Sequence, residues 1–188
     1  MQKQVLVDWP VYTCVACFVH KSLQNFNLQK DQACLSRAIN VKVSENTKNP
    51  FKLVTTSEPL SYGLNADEAQ KTINNYLKFE KTGLEFRHLP LNLIPYQMYQ
   101  DVIAAYIEKG VQVGIGYDFS DADKTVGFNK HISFVRGEGN GLFVIDFYDD
   151  NKGKYVNLSI DEIIRSSMKI RDGLWLIGKP ENLTTAII

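Results

Sequence analysis

The chain has 188 residues and a mass of 21.4 kDa, the size of one ordinary domain rather than two small ones. Hydrophobic residues at 44% and charged residues at 22% match a globular chain and exclude intrinsic disorder. Lys+Arg and Asp+Glu both number 21, so there is no basic excess for counterion release, and no nucleic-acid partner is expected.

No strictly apolar run, Cys14–Val19 included, exceeds six residues, so no membrane span is expected. Gln4–Val7 reads as a short strand ended by Asp8-Trp9-Pro10, and its three apolar residues do not make the core of a signal peptide. A cytoplasmic location is therefore expected, and the glycosylation patterns at Asn157 and Asn182 are set aside. In a reducing compartment the odd set Cys14, Cys17 and Cys34 argues against a disulfide scaffold. Cys14–Phe26 predicts a helix, with Thr13 as its N-cap, and Gln32–Ile39 a shorter one. Asn40–Leu64 predicts a long loop holding one strand, Phe51–Thr55. Asn65 caps a helix that Gly83 closes, and Leu84–Leu89 alternates like a strand. A further helix spans Tyr96–Lys109 between Pro95 and Gly110. Strands then follow at Val111–Tyr117, His131–Arg136 and Leu142–Tyr148, the last two joined by the turn Gly137–Gly141. Ser159 caps a short helix and Leu174–Ile177 closes the series. Helices first and an antiparallel sheet second make the fold class α+β, with a single domain over residues 1–180 and a tail over 181–188.

Three residues carry the chemistry. Cys14 opens a predicted helix, whose N-terminal partial positive charge lowers a thiol pKa. His131 begins one strand and Asp146 lies in the next, 15 residues on, with Glu138-Gly139 midway, so a hairpin can set the two side by side. Such an imidazole activates a thiol, and the carboxylate orients the ring. Each residue also has a plainer reading: Cys14 as a small buried hydrophobe, His131 as a structural histidine, Asp146 as a solvated carboxylate.

The order and context of these residues resemble the papain-fold bacteriocin-processing peptidases and their relatives. The matching pieces are Tyr12-Thr13-Cys14 with its helix, Gly63–Glu68 through Gly83-Leu84, and Lys109–Ile115. His131–Gly137, Val144-Ile145-Asp146, Ser159 and Leu174–Ile177 complete the likeness. The resemblance implies a papain-like cysteine protease fold, with the N-terminal helices packed on a C-terminal antiparallel sheet, and a catalytic triad Cys14–His131–Asp146. Two positions depart from the pattern: Val15 stands where Gly usually follows the nucleophile, and Asp8 stands where the oxyanion-hole Gln falls. An ionised carboxylate cannot donate to an oxyanion; Gln4, a protonated Asp8 or backbone N–H groups are the substitutes considered.

The chemistry so implied is an acyl-thioester on Cys14. Its transfer to an amine, from a donor carried on a partner protein, makes an amide-forming acyltransferase; its transfer to water makes a peptidase. The weakened oxyanion site tips the expectation towards transfer, because a thioester donor is more reactive than an amide. Lys48, Lys52, Lys71, Lys78 and Lys81 are scattered candidates for a docking patch, read equally as solvated lysines. Two further readings stay open, a thioredoxin-like redox protein built on Cys14-Val-Ala-Cys17 and an inactive binding module of the same fold. The Cys pair and the histidines lack zinc spacing, so neither metal nor other cofactor is expected. Trp9, Tyr12 and Tyr117 are candidates for a substrate groove, Cys17 and Cys34 are expected in the core, and His20 on the surface.

Overall fold

A computed structural model describes residues 13–59, 62–122, 124, 127, 129–138, 142–146, 148–149, 154–155 and 158–184. Helix α1 (Cys14–Asn25) turns one face inward through Val15, Phe18, Val19, Ser22 and Leu23, which are all buried. Helix α2 (Gln32–Ala38) begins where the Asp31 side chain accepts from the Cys34 N–H at 2.7 Å. Two short strands follow, β1 (Lys42–Ser44) and β2 (Val54–Thr56), paired in parallel. The region read as a loop with one strand thus holds two. The second starts late because Asn49 bonds both the N–H and the C=O of Leu53 at 2.8 Å, and Lys52 takes a left-handed φ of 53°.

Helix α3 (Ala66–Phe79) starts as expected, with Asn65 Oδ1 accepting from the Glu68 N–H at 2.9 Å. Strand β3 (Glu85–Pro90) leads through 3-10 turns at Leu91–Leu93 and Tyr96–Met98 into α4 (Tyr99–Glu108). Then come β4 (Gln112–Asp118), the single turn α5 (Phe119–Ala122), β5 (Lys130–Glu138) and β6 (Leu142–Asp146). Two short pieces, β7 (Tyr148–Asp149) and β8 (Lys154–Tyr155), pair with each other. Helix α6 (Ile160–Lys169) carries a full capping box between Ser159 and Glu162, and β9 (Gly173–Gly178) and the turn α7 (Pro180–Leu183) end the described chain. Leu183 is fully buried, so the packed region runs past residue 180.

The main sheet is antiparallel throughout, in the order β3-β9-β4-β5-β6. The strand that ends the series therefore inserts inside the sheet, between β3 and β4. Alternation gives the sheet two buried faces. On one, Phe86, Ile132, Phe134, Trp175 and Ile177 pack with α1 and α3. On the other, Val113, Ile115, Tyr117, Val135, Leu174 and Leu176 pack with α4, α6 and α7. Gly114 makes room for α1: a Cβ there would stand 2.8 Å from the Phe18 ring, which also packs on Phe134 at 4.8 Å between centroids. Among the described residues no helix is long and apolar enough to cross a membrane.

Candidate active site

Helix α1 starts at Cys14 without help from Thr13, whose side chain makes no capping bond. The first N–H groups of the helix are therefore left for other acceptors. Near the Cys14 sulfur the N–H groups of Ile132, Val15 and Cys14 itself act to favour the thiolate. Ile132 lies near the start of β5, before the described pairing of that strand with β6, which runs from Phe134 to Glu138. The nucleophile candidate thus sits on the backbone of the residue next to His131.

The charge states differ from a resting ion pair. Burial pushes the Cys14 thiol up to about 11, outweighing the three N–H groups, and the Asp172 carboxylate adds to the rise. The lowering expected from the helix N-terminus is overturned, because desolvation of a thiolate costs more than the orphan N–H groups return. Burial also pushes the His131 imidazole down to about 3. At neutral pH the resting site therefore holds a neutral thiol and a neutral ring.

The His131 ring is flanked by Tyr117, edge-on at 5.8 Å between centroids, and by Phe119 at 5.5 Å. Tyr117 is 1% exposed and its hydroxyl meets Ser133 Oγ at 3.2 Å. It is a core residue and not a groove residue, because β4 turns positions 113, 115 and 117 towards the second core. Asp146 pairs with Phe134, three residues along β5 from His131, rather than with His131. Asp8, Gln4, Trp9 and Tyr12 lie outside the described residues.

Two smaller expectations are also corrected. Cys34 is exposed, with its sulfur 3.3 Å from an Arg37 guanidinium nitrogen, because α2 turns Leu35 and Ser36 inward instead. His20 is buried at 4% exposure, since it shares the inward side of α1 with Ala16 and Val19, and its Nε2 lies 3.0 Å from the Lys30 carbonyl. Cys17 is partly buried against the first core. Among the described residues no group of three His, Cys, Asp or Glu is placed to hold a metal ion.

Sequence reasoning missed two carboxylates, one half-buried and one buried. Asp172 fills the notch over Gly116, where a Cβ would stand 2.4 Å from its carboxyl carbon, and Gly116 pairs with Ile132. Asp172 Oδ1 accepts from Trp175 Nε1 at 2.9 Å and the Gly173 N–H at 2.8 Å, and lies 3.1 Å from His88 Nε2. Burial works to raise its pKa, but these partners outweigh it and hold the carboxyl below its ordinary value. In the sequence Arg171-Asp172-Gly173 looks only like a turn. Asp118, 2% exposed at the end of β4, is the second. Its signal was readable, since Asp118-Phe-Ser120 is the spacing with which Asp caps a turn.

No family profile matches the chain, and no curated protein does. Among solved structures, a chain from Bacillus anthracis described as a candidate C39-like peptidase superposes with a TM-score of 0.58 at 15% identity, covering 92% of each chain. The fold is papain-like. That likeness fits the helix carrying Cys14 against an antiparallel sheet, and it answers the thioredoxin alternative. A thioredoxin-type sheet sets parallel strands beside the thiols, whereas every pairing in this main sheet is antiparallel.

Proposed function

We propose that the protein is a cysteine-dependent acyl hydrolase that cleaves an amide bond, with Cys14 as nucleophile and His131 as general base. The observation that carries this reading is the seat of the Cys14 sulfur: first residue of α1, with the N–H of Ile132, the neighbour of His131 in β5, among the groups that favour its thiolate. With both groups neutral at rest, the thiol loses its proton to the imidazole as sulfur attacks the carbonyl carbon. Collapse of the tetrahedral adduct breaks the C–N bond, and the imidazolium returns the proton to the leaving amine. Water then attacks the thioester with the same ring as base, releasing the acid and restoring the thiol. The Cys14 and Val15 N–H groups at the start of α1 are the donors we assign to the developing oxyanion once sulfur has attacked, in place of the carboxylate at position 8.

An amine replacing water at the second step would turn the same thioester into an amide. The C39-like peptidase neighbour favours water. The test is intact-protein mass spectrometry with a peptide aldehyde and with an acyl thioester. An adduct on the wild type and on Cys17→Ala, absent in Cys14→Ala, is expected, with free acid as the product. Amide formed from an added amine would move the reading to transfer. No adduct on folded wild type would leave an inactive module of the same fold.

A further inference from the structure

The segment between β4 and β5 leaves the sheet beside His131 and returns to it, so whatever fixes its two ends also fixes the surroundings of that ring. We propose that Asp118 is a positioning residue, whose buried carboxylate gathers both ends of this segment and so sets the aromatic walls around His131. This rests on His131 being the general base. Oδ1 of Asp118 accepts from the Ser120 N–H at 3.0 Å, the Ser120 hydroxyl at 2.8 Å and the Asn129 N–H at 3.3 Å. Asn129, in turn, accepts from the Phe119 N–H through its carbonyl at 2.7 Å. Residues 119–120 and residue 129 are thereby tied to one carboxylate, and residue 129 is two positions from His131.

The other oxygen faces α6. Lys169 Nζ lies 3.4 Å from Asp118 Oδ2, and Ser166 Oγ accepts the Asp118 N–H at 3.0 Å while donating to Asp121 Oδ2 at 2.6 Å. The tether therefore reaches from α6 through the end of β4 to the two rings that touch His131, Tyr117 just before the carboxylate and Phe119 just after it. A carboxylate so buried is expensive unless its lone pairs are filled, and here they are filled by the groups that close the segment. Burial works to raise its pKa, yet the bonds from Ser120, Asn129 and Lys169 hold it below the ordinary value.

The test compares Asp118→Ala with Asp118→Asn, since an amide oxygen can still accept from Ser120 and Asn129. The His131 ring protons, read by NMR, carry ring-current shifts from Tyr117 and Phe119. In Asp118→Ala they are expected to move towards the values of an unflanked histidine, and in Asp118→Asn to stay near those of the wild type. With p-nitrophenyl acetate as the acyl probe, kcat is expected to fall roughly tenfold or more in the alanine variant with KM nearly unchanged, and to recover in the asparagine variant. Unmoved His131 signals in folded Asp118→Ala overturn the proposal. If that variant does not fold, Ser120→Ala, which removes one bond to Oδ1, takes its place: a partial shift of the His131 protons supports the proposal and no shift overturns it. The NMR arm needs no activity, so it separates failure here from failure of Cys14 as nucleophile.

Discussion

A thiol held near 11 has a rate signature that an activated thiolate lacks. Only about one Cys14 in 10⁴ is ionised at pH 7, so its alkylation by iodoacetamide should climb about tenfold per pH unit through neutrality without a plateau. A plateau below pH 8 would mean that His131 already holds the proton at rest. The same environment makes a second outcome specific. Asp172 carries negative charge near the sulfur, so Asp172→Asn should speed alkylation at pH 7.5 by a few-fold, while Asn still accepts from Trp175 and Gly173. An unchanged rate would show that solvent screens the carboxylate. The places of Cys14 and His131 in the fold were legible because a helix start and a strand start are local patterns. Asp172 was not, because its place beside Cys14 comes from β9 inserting between β3 and β4, a choice of partners that no spacing along the chain encodes.

Helix ends show the same division at the next scale. Five helices close with a left-handed residue, Asn27, Asn40, Lys81, Gly110 and Arg171. In each, the following N–H returns five residues: Leu28 to Leu23, Val41 to Ser36, Thr82 to Leu77, Val111 to Tyr106 and Asp172 to Ser167. Gly110 was readable as a stop because glycine takes this conformation freely. Lys81 was passed over in favour of Gly83, because lysine is a helix former and gives no sign of stopping one. That misfit has a measurable consequence. Lys81→Gly should stabilise the fold by up to about 1 kcal/mol in urea unfolding, as Lys81 is exposed and Gly relieves its positive φ of 51°. A loss of stability would show that the lysine side chain contributes more than its backbone costs. Edge strand β3 is managed by α3 rather than by sequence at the edge itself. Asn74 accepts from the Phe86 N–H at 2.7 Å and donates to its carbonyl at 2.9 Å, and Gln70 Oε1 accepts from the His88 N–H at 3.0 Å. Asn74→Ala leaves the Phe86 N–H without this acceptor inside the protein and should cost about 1–3 kcal/mol in the same measurement.

For the whole molecule, the shifted groups together set a pH window for stability. His131 falls to about 3 from 6.5 and His20 moves the same way, so below pH 6.5 the unfolded chain binds protons that the folded one refuses. Stability therefore declines as pH drops from 6.5 towards 3, by up to about 1.4 kcal/mol per pH unit for each such proton. Asp172 and Asp118 add a second decline below 3.8, because their folded carboxyls stay ionised where the unfolded ones protonate. On the alkaline side Cys14, raised to about 11 from 9.0, loses its contribution as pH climbs between those values, and Tyr76, raised to about 12 from 10.0, follows. The fold should thus be most stable between about pH 6.5 and 9, a plateau fixed by buried neutral groups and not by net charge, which is zero. Urea midpoints taken at pH 7 and pH 4.5 separate the His131 contribution: the wild type should lose stability over that step, and His131→Asn should lose less, with the remainder shared by His20 and the depressed carboxyls, Glu162 first among them. An equal loss in both proteins would mean that the His131 ring is solvated in the fold, and with it would go the case for a dry, neutral thiol–imidazole site.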